Sequence, residues 1–147
     1  MNALIYKSTG SWYTVKDDQG VIWNARIKGF LKIDGITPTN PLAVGDRVVI
    51  EKENEAGQTA MITAILPRRN YINRQSPRVK HQHHIIAANV DQSLLVATLR
   101  EPKTSQGFID RFLVVSEAYH VPSVIVFNKA DLYRDKERAI FESWKKM

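Results

Sequence analysis

The stretch "VPSVIVFNKADLY", Val121 to Tyr133, sets a run of large apolar residues directly against Asn128, Lys129 and Asp131. "SVIVF" is short, β-branched and aromatic, which is how a strand covered on both faces of a parallel sheet reads. The following "DKERAIFESWKKM" has helical spacing, with Ile140, Phe141 and Trp144 on or near one face. The polar residues therefore occupy a strand-to-helix loop at the carboxyl end of a strand, where open α/β sheets bind ligands.

Upstream, "DQSLLVATL" contains a second continuous apolar run, expected to be another doubly covered strand. Between the two lies "FIDRFLVVSEAYH", where Phe108 and Phe112, Ile109 and Leu113, and Val115 and Tyr119 recur at helical intervals. Ser105 or Thr104 can cap its start. The order strand, helix, strand, helix predicts a parallel α/β sheet with a right-handed crossover. Two strands and two helices leave an edge and apolar faces uncovered. The domain is therefore expected to be incomplete here, with further chain beyond Met147 or a partner supplying the remainder.

Asn-Lys-x-Asp in this position has the chemistry of a guanine-recognition loop. The Asp131 carboxylate can accept hydrogen bonds from the ring N–H and the exocyclic amino group of guanine. Adenine offers neither donor there, and each charge-assisted bond lost costs roughly 1.5–3 kcal/mol. Asn128 can present its amide towards the purine N7 side and brace neighbouring loops. Lys129 can lay its methylene stem over the base while its ammonium stays wet. The competing reading is a polar turn with Asp131 as a helix N-cap. None of the seven glycines belongs to a GxxxxGK[ST] phosphate loop. A guanine loop with no phosphate loop before it points to a rearranged order, with the phosphate loop later in the chain.

Residues 1–66 read differently. "NALIYKS", "SWYTVKD", "VIWNARI", "DRVVIEKE" and "TAMITAIL" are strand-like, separated by turn residues such as Thr9-Gly10 and Gly45-Asp46. Five short strands suit a small closed barrel, which hides its edges. "GFLKIDGITPTNPLAVGD" is too rich in Gly and Pro for a regular element and is expected to be a mobile surface loop. Trp23 aligns with Val21, Ala25 and Ile27 and is expected in the core. Trp12 and Tyr13 are the candidates for stacking on RNA bases.

The net charge of +6 is concentrated in one place. Residues 67–83 carry Arg68, Arg69, Arg74, Arg78 and Lys80 with no acid, whereas residues 1–66 balance to zero. Such a cluster suits the phosphates of a nucleic acid, though a solvated linker has the same composition. This segment, "LPRRNYINRQSPRVKHQHH", has little periodicity and is taken as the domain boundary. His81, His83 and His84 lie in it without a fourth ligand at a fixed offset. No metal site is assigned to them. The chain has no cysteine, no apolar run of membrane-spanning length and no export-type start. The absence of cysteine fits a reducing compartment.

Taken together, these features resemble the ribosome small-subunit-dependent GTPase family (RsgA, also called YjeQ). The resemblance runs through the barrel, "LPRRNYINR", "IIAANVDQSLLV", "FIDRFLVVSEA" and "NKADL". It implies an α+β multidomain fold. Residues 1–66 would be an OB-fold barrel, 67–84 a basic connector, and 85–147 the first part of a circularly permuted, P-loop GTPase-like α/β domain. It implies a GTPase that assists late maturation of the small ribosomal subunit. Guanine contacts would fall to Asn128, Lys129 and Asp131, and contact with ribosomal RNA to the barrel and connector. GTP with magnesium would be the ligand, and zinc would belong to a C-terminal domain outside this chain. The catalytic and phosphate-binding elements would also lie outside it. A cytoplasmic monomer without membrane contact is expected. The alternative is a non-enzymatic OB-fold module that binds RNA.

Overall fold

The computed structural model describes residues 1–29, 42–75 and 83–145, except the side chains of Arg74, Gln75, His83 and His84. The chain divides into two compact units, Met1–Val90 and Asp91–Met147.

In the first unit, β1 (Asn2–Thr9), β2 (Trp12–Asp17), β3 (Ile22–Ile27), β4 (Arg47–Asn54) and β5 (Thr59–Ile65) form a closed barrel in the order β1-β2-β3-β5-β4. The pairs are antiparallel except β3 with β5, and Ala3 opposite Val48 closes the ring between β1 and β4. This is the OB-type barrel expected of the five strand-like segments. Alternation decides what each strand buries. Ile5, Val15, Trp23, Ala25, Val48, Ile50, Ala60 and Ile62 all point into one core. Each large member contributes roughly 1.5–3 kcal/mol by leaving water.

The turn between β2 and β3 is held by Asp17. Its carboxylate accepts from the backbone N–H groups of Gln19 at 3.0 Å and Val21 at 2.8 Å, and from Trp23 Nε1 at 2.9 Å. These three donors satisfy a side chain that is otherwise buried. Most of the Gly- and Pro-rich loop, residues 30–41, lies outside the described residues. Leu42, Ala43 and Asp46, at the end of that stretch, are buried.

The segment after the barrel differs from its irregular appearance in sequence. β6 (Tyr71–Gln75) and β7 (His83–Ala88) pair antiparallel, with Tyr71 opposite Ala88. The base of this hairpin is fixed to the barrel. Ala88 N–H donates to Val44 O at 2.8 Å, and Asn89 Nδ2 donates to Gly45 O at 2.9 Å. His83 and His84 thus belong to a strand, while His81 lies outside the described residues.

In the second unit, β8 (Ser93–Ala97) and β9 (Ser123–Phe127) are parallel, with α1 (Gln106–Ala118) between them in sequence and α2 (Asp135–Trp144) after β9. Ser105 caps α1, accepting from Phe108 N–H at 3.3 Å. Phe127 meets Phe141 and Trp144 edge-on, with centroids 5.4 and 5.5 Å away, and so seats α2 against β9. The apolar runs promised two covered faces. Among the described residues only one is covered: Leu94, Val96, Val124 and Val126, which share the other, are 40–62% exposed.

Candidate functional site

The parallel register sets Ala97 beside Phe127, so β8 and β9 end together. Asn128 N–H extends the ladder by one bond, donating to Ala97 O at 2.8 Å. The chain then leaves the sheet abruptly, because Lys129 takes a left-handed conformation, φ 57° and ψ 39°. For a residue with a Cβ this costs roughly 1–2 kcal/mol, so the surrounding contacts must hold it.

They do so from both sides. Asn128 Oδ1 accepts from Lys129 N–H at 2.9 Å, and Lys129 Nζ donates to the Glu101 carbonyl at 2.5 Å. Beyond the kink a single 3-10 turn, Ala130–Leu132, carries Asp131. Asp131 is exposed, and its carboxylate accepts no hydrogen bond and joins no ion pair among the described residues. It does not cap the following helix. The N-cap of α2 is Arg134, whose N–H donates to Glu137 Oε2 at 3.0 Å. The turn thus brings Asn128, Lys129 and Asp131 together and presents one uncommitted acceptor at the end of a strand, an arrangement suited to a base with adjacent donors.

The turn also rests on a residue that sequence reasoning passed over. Tyr133 is buried, and its hydroxyl donates to Asn128 O at 2.8 Å while accepting from Leu99 N–H at 3.1 Å. The only signal was its place directly after the motif.

The RNA candidates separate. Trp12 is 46% exposed, but Tyr13 is buried at 3% and cannot stack on a base, which corrects the sequence expectation. Tyr13 shares the inward parity of Val15, and burial, then the Asp46 charge, raises its phenol above the ordinary value. Arg68 is likewise corrected. Its guanidinium grips the buried Asp46 carboxylate through Nε and Nη2, each at 2.6 Å, and is a structural ion pair rather than a free phosphate ligand. Arg69 is exposed, with its backbone N–H on Asn89 Oδ1 at 2.8 Å. Arg74 lies on β6, and Arg78 and Lys80 lie outside the described residues. Among the described residues no group of three or more His, Asp or Glu could hold a metal ion, and no helix is long and apolar enough to cross a membrane.

Two family models match. The RsgA N-terminal domain covers residues 3–61, and the RsgA GTPase model covers residues 65–147. A Cytophaga hutchinsonii protein named Small ribosomal subunit biogenesis GTPase RsgA is 52% identical over 92% of this chain and 44% of its own length. The crystal structure of YjeQ from Thermotoga maritima superposes with a TM-score of 0.74 at 27% identity, over 99% of this chain and 47% of that one. YloQ, described as a circularly permuted GTPase, gives 0.68 at 28% identity, over 99% and 46%. The chain thus spans about half the length of the curated relatives it matches.

Proposed function

This chain belongs to the RsgA GTPase family, and from that membership we propose that it supplies the guanine-reading part of a GTP-binding, GTP-hydrolysing protein assisting small-subunit maturation. The observation that carries the reading is the uncommitted Asp131 carboxylate on the turn beyond left-handed Lys129. It would accept from guanine N1–H and the 2-amino group, while Asn128 faces the N7 side and the Lys129 stem covers the ring. Adenine would leave the carboxylate without either donor.

In this reading residues 85–147 read the base, and the barrel (1–66) and basic segment (67–84) meet the ribosome through its RNA. Trp12, Arg69, Arg74, Arg78 and Lys80 are the contacts proposed there. The triphosphate and magnesium need a phosphate loop that this sequence does not contain, and zinc finds no cysteine here. The part these residues play in the reaction is to bind and orient the base.

The test is a nucleotide titration of the full gene product and its Asp131→Asn variant. An amide can donate to a carbonyl where the carboxylate only accepts, so preference should pass from guanine to xanthine nucleotides. Guanine preference retained in the variant would sink the reading. It would favour instead an RNA-binding barrel with a merely structural turn, for which the exposed Trp12 is the supporting observation.

A further inference from the structure

The peptide joining Asn128 to Lys129 is held at both ends. Its carbonyl oxygen accepts from Tyr133 Oη at 2.8 Å, and its N–H donates to Asn128 Oδ1 at 2.9 Å. That peptide controls the kink. Rotating it out of place changes ψ of Asn128 and φ of Lys129 together, and would return Lys129 from φ 57° to the negative region most residues prefer. Asp131 lies two residues on, in the 3-10 turn that starts from this kink.

From this geometry we infer that Tyr133 is a positioning residue for base selection, an inference that rests on the guanine reading above. The residue is 5% exposed, so the hydroxyl is delivered from a packed site rather than from solvent. The same oxygen accepts from Leu99 N–H at 3.1 Å, and Lys129 Nζ reaches Glu101 O. One hydroxyl and one ammonium therefore tie the base-reading turn to the Leu99–Glu101 segment that follows β8. The hydroxyl both donates and accepts, and a phenyl ring of the same shape can do neither. The residue acts through Asn128 and Lys129 and does not itself touch the base.

The experiment compares the full gene product with its Tyr133→Phe variant in binding to GDP and to IDP, which lacks the 2-amino group. The ratio of the two affinities reports the Asp131 contact on folded molecules, so a general loss of stability leaves it unmoved. The variant is expected to bind GDP about tenfold more weakly, with a smaller GDP-to-IDP ratio. An unchanged ratio overturns the inference even if the variant melts earlier. A wild-type protein that does not prefer GDP to ADP overturns the guanine reading itself, and this inference with it.

Discussion

Arg68 and Asp46 form a two-pronged ion pair, Nε to Oδ1 and Nη2 to Oδ2, both at 2.6 Å, with the Asp46 side chain fully buried and that of Arg68 11% exposed. Asp46 Oδ2 also accepts from Ala43 N–H at 2.8 Å. Removing the guanidinium would strand a buried carboxylate, which costs on the order of 3–5 kcal/mol. Arg68→Ala should therefore lower the urea midpoint sharply. Arg26→Ala, which breaks an exposed pair with Glu53, should cost about 1 kcal/mol or less. Similar losses in the two variants would show that the burial of Asp46 is not what matters.

Gly45 makes the hairpin's approach to the barrel possible. Its φ is +89°, and a Cβ there would lie 2.0 Å from the Ala88 carbonyl oxygen, a backbone atom that cannot swing aside. Gly45→Ala combines backbone strain with a clash and should destabilise by more than about 2 kcal/mol. Gly10 has φ +60° with nothing within 4 Å of the added carbon. Gly10→Ala carries only the conformational cost, roughly 1–2 kcal/mol. Equal costs in a denaturant series would refute the close-approach argument.

Tyr13 and Arg68 are where sequence and structure part. Strand parity placed Trp23 and Ala25 inward, as they are in the barrel core, because alternation is a local signal. The same parity, applied to Tyr13, would have buried it. An aromatic side chain suits a stacking platform and a barrel core alike, and only its place two residues from Val15 distinguishes them. Arg68 looked like part of a basic cluster because its partner lies 22 residues earlier, and charge counted along the chain cannot see pairing in space. The β6–β7 hairpin escaped for a related reason. Its strands are only five and six residues long, and what anchors it lies far off in sequence, Ala88 N–H on Val44 O and Asn89 Nδ2 on Gly45 O. The turn that follows β9 was legible because the change from apolar strand to polar residues is contiguous in sequence. Tyr133 was not, because its role depends on Leu99, 34 residues away.

Asp17 makes the barrel's stability depend on acid. The Trp23 indole N–H is the largest influence holding its carboxyl below the ordinary aspartate value, with the backbone N–H groups of Val21 and Gln19 and the Lys52 charge acting in the same direction. A group whose folded pKa is depressed contributes stability that is complete above its unfolded value, about 4, and is lost as pH falls through the folded value. Melting temperature should therefore drop as pH is lowered below about 4, and Asp17→Asn should flatten that drop. Glu55 is also held low, by Lys52, and remains in both proteins, so the difference between them isolates Asp17. Parallel acid limbs in the two proteins would refute the assignment.

The proposed RNA contact makes separate predictions for Trp12 and Arg69, because stacking and phosphate binding respond differently to salt. Trp12 is exposed on the barrel, whereas its neighbour Tyr13 belongs to the core. If the indole stacks on a base, Trp12→Ala should weaken binding of the full gene product to small ribosomal subunits by roughly 1–3 kcal/mol. The salt dependence of binding should stay the same, since stacking neutralises no phosphate and releases no counterion. Arg69→Glu should instead weaken binding and reduce the slope of log affinity against log salt by about one. Tyr13→Phe supplies the control, because a side chain enclosed in the core should leave binding unchanged. Unaltered affinity in both Trp12→Ala and Arg69→Glu would move the ribosome contact away from this part of the molecule. A salt slope that falls with Trp12→Ala but not with Arg69→Glu would reverse the two roles.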